Sequence, residues 1–128
     1  MSPDLKYLLL SVLLAFVQVL IAAAAANQVV GLNTLAGNRD DLPVFSGFAD
    51  RARRAHLNMI ENMVLFTALV LVAAVAGKAN AMTAMGALIF FWARLIYAVI
   101  YLLGIPWLRT LAWFVSVIGM VIIAWQLI

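Results

Sequence analysis

Few residues in this chain can do chemistry, and those few fall in helical register. Arg54, Asn58 and Glu61 stand at i, i+4 and i+7, which is one stripe of a helix. Arg94, Tyr97 and Tyr101 stand at i, i+3 and i+7, a second stripe. Arg109 follows at the entry of a further apolar segment, with Thr110 beside it. The set supplies guanidinium groups, one amide, one carboxylate and two phenols. Arginines bind carboxylates through forked, charge-assisted hydrogen bonds. Glu61 matches an ammonium and Asn58 a peptide-like amide, so the set suits a small, flexible, zwitterionic ligand. Each part also has a plainer reading. Arg54 and Glu61 read equally as an interfacial ion pair, the tyrosines as an interfacial aromatic belt, and Arg109 as an anchor to lipid phosphate.

Composition removes other chemistries. There is no cysteine, which excludes disulfides, thiolate metal sites and cysteine nucleophiles. Thiol chemistry here requires a thiol brought in as a ligand. His56 is the only histidine and lies beside the first stripe, not on it; alone it makes neither a metal site nor a catalytic triad. It reads as an interfacial or inter-subunit residue. The net charge of +3 comes mostly from arginine, with no long basic run or aromatic RNA-type motif, so no nucleic-acid partner is expected.

The elements that position these groups are set by lipid. Apolar residues make up 68% of the 128 and charged residues 10%, against roughly half and a quarter in soluble domains. The expectation is an all-α, integral membrane four-helix bundle in a single domain, residues 1–128, with membrane lipid as its solvent. A bilayer core of ~30 Å needs about 20 helical residues. Four segments qualify, with helices expected over about 5–30, 49–77, 79–103 and 107–127. The substantial loop, Gly31 to Gly47, carries Gly37, Asn38, Asp40, Asp41 and Pro43. Ser46 or Asp50 is expected to cap the second helix. Gly77, Lys78 and Asn80 mark one tight turn; Gly104, Ile105 and Pro106 mark another, so the last three helices should run up and down. Trp107 and Trp125 suit the interfaces, Trp92 and Trp113 packing. The first segment does not read as a cleaved signal peptide, because its start carries Asp4 as well as Lys6 and its apolar run is long.

Depth and sidedness follow. Arg39, Arg51, Arg53, Arg54 and Arg109 gather at one end, against Lys6 and Lys78 at the other. The positive-inside rule puts the arginine end in the cytoplasm and both termini outside. From Arg54 to Glu61 is roughly 10 Å along the axis, so part of that stripe lies at membrane depth. Arg94 interrupts an otherwise apolar span, and an intramembrane arginine rarely faces lipid. The third helix runs toward Gly104 and the arginine end, so both stripes share one half of the membrane.

The segment Arg53-Arg54-Ala55-His56-Leu57-Asn58-Met59-Ile60-Glu61-Asn62 resembles the signature of the membrane-associated proteins in eicosanoid and glutathione metabolism, Arg-x-x-x-Asn-x-x-Glu at the start of the second span. The Gly-Asn-Arg-Asp-Asp-Leu-Pro stretch at 37–43 and the chain length are similar to the bacterial branch. The resemblance covers essentially the whole chain. It implies a homotrimer that binds glutathione between protomers near the cytoplasmic side, in a bacterial inner membrane. It implies glutathione as cosubstrate, no metal, and a lipophilic small-molecule substrate. By motif, Arg54, Asn58, Glu61, Arg94, Tyr97 and Tyr101 match ligand-binding positions, and Arg109 the arginine that stabilises the thiolate. Leu57, where some members have another arginine, and Thr110, where some have serine, are departures.

The function implied is a membrane-bound, glutathione-dependent transferase or peroxidase acting on lipophilic electrophiles. A different class remains open: a non-catalytic protein of the same fold that binds a lipid or regulates a partner. A small transporter ranks behind both, since neither inverted repeats nor broken helices stand out. Stabilisation of the purified protein by glutathione separates the first reading from the others.

Overall fold

The computed structural model describes residues 1–128. It is all-helical: α1 (Pro3–Val30), α2 (Leu32–Ala36), α3 (Gly47–Val75), α4 (Ala81–Leu103) and α5 (Pro106–Leu127). Four of these, all but α2, are long and apolar enough to cross a membrane. The five-residue α2 lies within the segment read from sequence as a loop.

Local chemistry explains the boundaries. Ser2 caps α1 by accepting from the Leu5 amide, and Pro3 occupies the first turn, where a missing N–H costs nothing. Asn80 and Thr83 form a reciprocal capping box at the start of α4, with the Asn80 amide oxygen accepting from the Met82 and Thr83 amides. Gly104 ends α4 in the left-handed conformation that only glycine adopts freely, and Pro106 opens α5 two residues later. The expected cap of α3 is different in detail. Ser46 holds the N-cap position but its side chain makes no capping bond, and Asp50 in the first turn pairs with Arg54 instead.

The spans pack up and down. Tyr7 meets Phe91 near one end, with ring centroids 6.0 Å apart, and Gln18 lies beside Leu102 near the other, so α1 and α4 run parallel. The turn between α3 and α4 clasps the end of α5: Lys78 donates to the Leu127 carbonyl at 2.8 Å and Asn80 to the Gln126 side chain at 3.1 Å. At the opposite end Arg51 donates to the Leu102 carbonyl, supplying positive charge and a donor to the last turn of α4.

The core is built of Met59, Met63, Phe66, Val70, Ala87, Phe90, Met120 and Ile123, with Phe66 and Phe90 stacked at 3.8 Å between centroids. Helices α4 and α5 approach most closely at Gly86 and Gly119. A Cβ on Gly119 would sit 2.6 Å from the Gly86 oxygen, so no larger residue fits without moving backbone. Large apolar side chains such as Phe16, Leu20, Phe114, Ile118 and Val121 face outward, the reverse of a soluble bundle. The buried face of α1 repeats in steps of four and three: Asp4, Leu8, Ser11, Ala15, Gln18, Ala22 and Ala25. Its small residues let α1 lie close against α3 and α4.

Candidate functional site

Three of the spans contribute to one small pocket at the arginine-rich end. Its lining is Asn58 from α3, Tyr97 from α4, and Arg109, Thr110 and Trp113 from α5, around a volume of about 120 Å³. Helical spacing puts Arg109 and Trp113 one turn apart on the same face. The capped α4–α5 turn brings Arg109 opposite the second stripe. The Thr110 hydroxyl donates back to the Pro106 carbonyl at 3.3 Å.

Behind this lining the two stripes interlock. Arg94 is 1% exposed, and its Nη2 donates to Asn58 Oδ1 at 2.8 Å. Its guanidinium lies over the Tyr97 ring, 4.2 Å from the centroid. Tyr97 and Tyr101 are both buried, with centroids 5.5 Å apart, and Arg109 lies over Tyr101 at 4.6 Å. Two cations thus bracket a pair of tyrosines, in the order Arg94, Tyr97, Tyr101, Arg109. Each cation–π contact is worth about 0.5–2 kcal/mol, more where water is excluded. The two rings stand between the two like charges, with each guanidinium over a ring.

Arg94 is underprovided with partners. Its Nε and Nη1 are buried with no hydrogen-bond acceptor. The sole ion pair of the chain, Arg54 with Asp50 at 3.0 Å, leaves Arg94 without a carboxylate. A buried guanidinium in this condition is costly, and an anionic or carbonyl oxygen would relieve it.

The other expected residues are placed nearby but not in the pocket. Arg54 is 62% exposed and held by Asp50, an ion pair contributing at most about 1 kcal/mol. Glu61 is exposed and makes neither an ion pair nor a hydrogen bond, so the Arg54–Glu61 pairing is not what the structure contains. Arg94 and Tyr101 reach the pocket only through Asn58, Tyr97 and Arg109. His56 belongs elsewhere, in a cavity of about 400 Å³ shared with Arg39, Arg53 and the end of α1. No group of three metal-ligating side chains comes together.

Two residues of the site lie outside the sequence reading. Trp113, expected as a packing residue, forms part of the pocket wall. Its spacing from Arg109 was a usable signal. Asn62 is 8% exposed, and its Nδ2 donates to the Asn58 carbonyl at 2.9 Å and to Asn58 Oδ1 at 3.3 Å. Its i+4 relation to Asn58 was likewise visible.

Four apolar spans with a cationic, aromatic pocket at one end define a multi-pass helical membrane protein. The model of the MAPEG family matches residues 7–128, and the chain belongs to that family, which includes glutathione transferases and peroxidases. No curated protein shows a significant match to it.

Proposed function

We propose that this protein is a glutathione-dependent transferase or peroxidase acting on lipophilic electrophiles from within the membrane. The observation that carries this reading is the pocket itself. Asn58, Tyr97, Arg109, Thr110 and Trp113 offer an amide, a phenol, a permanent cation and a hydroxyl within one small concavity at the edge of an apolar bundle. With no cysteine in the chain, a thiol nucleophile has to arrive as substrate.

In this reading Arg109 meets the glutathione sulfur. A guanidinium stays charged at any working pH, so it favours the thiolate without titrating itself, and the thiol proton leaves to water. The thiolate attacks an electrophilic carbon, forming the carbon–sulfur bond as the leaving group departs. With a hydroperoxide it attacks oxygen, and a second glutathione completes the disulfide, releasing alcohol and water. Asn58 and Tyr97 hold the peptide part, with Arg94 and Tyr101 acting on it from behind them. Arg54 and Glu61 bind its charged ends, with Arg54 exchanging Asp50 for a ligand carboxylate.

The assembly we propose is a homotrimer. A volume of about 120 Å³ is below the ~300–1,000 Å³ of ordinary ligand pockets, which supports a site walled in part by a second copy. In this reading the arginine-rich end faces the cytoplasm from a bacterial inner membrane. Glutathione should raise the melting temperature of detergent-purified protein in a saturable way, whereas the sulfur-free analogue with alanine at the central position should do so less. No shift at millimolar glutathione, in a preparation that is folded and trimeric, contradicts the proposal.

A further inference from the structure

Asn58 has two faces with opposite chemistry, and the surrounding donors decide which one a ligand meets. Its side chain carries one acceptor, Oδ1, and one donor group, Nδ2. The Arg94 guanidinium has donors only, so the Asn58 atom 2.8 Å from Nη2 must be oxygen. Asn62 points the same way: its Nδ2 donates to the Asn58 backbone carbonyl at 2.9 Å and reaches Oδ1 at 3.3 Å. Flipping Asn58 would aim Nδ2 at a buried guanidinium and at a second NH2 group. That would cost two hydrogen bonds, one of them charge-assisted, and set like partial charges against each other.

With Oδ1 turned inward, Nδ2 is the free end. It has no partner in the protein and is not among the side-chain atoms buried without one. Asn58 lines the pocket. We infer that Asn62 and Arg94 are positioning residues that lock Asn58 as a hydrogen-bond donor to the ligand, so that the site selects a carbonyl or carboxylate oxygen at this position and rejects an N–H. This inference rests on the glutathione reading for the identity of the ligand but not for the orientation of the amide. A peptide ligand would be read here by a backbone carbonyl or a carboxylate, never by its ammonium, which is left to Glu61.

Asn58→Asp tests the assignment cleanly. The carboxylate is nearly isosteric, still accepts from Arg94 and Asn62, and gives Arg94 a counter-charge. The variant should therefore melt at or above the wild-type temperature. It presents oxygen where the ligand needs N–H, so glutathione affinity should fall at least tenfold. Asn62→Leu, which removes one of the two restraints, should weaken binding less than Asn58→Asp. Wild-type affinity in a folded Asn58→Asp protein overturns the inference, because only an outward-facing acceptor could survive the exchange.

A ligand-free measurement separates this outcome from failure of the glutathione reading. In 15N-labelled protein the Asn58 side-chain amide, assigned by its loss in Asn58→Asp, should exchange with water quickly and that of Asn62 slowly. If the wild type binds no glutathione yet shows this pattern, the proposed function falls and the orientation stands. A protected Asn58 amide overturns the orientation whatever the ligand.

Discussion

The closest contact between α4 and α5 makes Gly119→Ala an informative perturbation. The new Cβ would lie 2.6 Å from the Gly86 oxygen and 2.9 Å from the Phe90 nitrogen. Both are backbone atoms, so no side chain can swing aside. Restoring ordinary contact at ~3.5 Å requires α5 to move by about 0.9 Å. Overpacking of this kind costs about 1–3 kcal/mol. Alanine gains up to about 1 kcal/mol in helix propensity over glycine, leaving a net loss of up to about 2 kcal/mol where that gain is full. The displacement also reaches the site, because Trp113 and Arg109 lie about 9 and 15 Å up the same helix. Misplacement of that size at a reacting group can lower turnover by about 10²-fold. Thermal unfolding in detergent, followed by circular dichroism, reads the first effect, and conjugation of glutathione to an activated aryl halide the second. Gly86→Ala should behave alike, with its Cβ 2.6 Å from the Gly119 oxygen, and the double variant should cost less than the sum, since one separation makes room for both. A raised melting temperature in Gly119→Ala, or an unchanged one with wild-type turnover, would refute the reasoning.

Arg94→Met should lose glutathione binding while changing stability by less than about 2 kcal/mol. The lost hydrogen bond and cation–π contact are offset by removing a desolvated charge, and a drop above about 4 kcal/mol in thermal or denaturant unfolding would instead mark Arg94 as structural. Arg54→Ala and Glu61→Ala should each weaken glutathione binding by about 1–3 kcal/mol in calorimetric titration, with melting temperatures nearly unchanged because both side chains are exposed; wild-type affinity removes the residue from the site. Native mass spectrometry from mild detergents should show three chains per particle, and monomer alone across several detergents counts against the trimer.

The spans were legible because lipid leaves no alternative: runs of about 20 apolar residues have nowhere else to go. The two stripes were legible because a period of 3.6 residues fixes which residues share a face. Depth and order behind a face are not periodic. Nothing in the spacing of Arg94, Tyr97 and Tyr101 says that Arg94 lies behind Asn58 and Tyr97 and that Tyr101 faces Arg109; that depends on how α3, α4 and α5 dock. The partner of Arg54 was ambiguous for a related reason. Asp50 and Glu61 lie one turn before it and two turns after it, and only the conformation of the first turn of α3 selects Asp50. Asn62 escaped because an asparagine among apolar neighbours looks like a tolerated polar residue until its bond to Asn58 is seen. The short α2 escaped because five residues carry no resolvable period.

Whether Arg109 holds glutathione as its thiolate decides the proposed chemistry. The direct measurement is the ultraviolet difference spectrum of the protein–glutathione complex, titrated with pH. The wild-type complex should show a thiolate band near neutral pH, well below the range where free glutathione ionises. Arg109→Lys should still bind glutathione, with the band displaced to higher pH and turnover lost, because lysine is a point charge that lacks the planar, delocalised guanidinium now over Tyr101. A saturated wild-type complex without a thiolate band, or an Arg109→Lys protein with wild-type band and turnover, would contradict it.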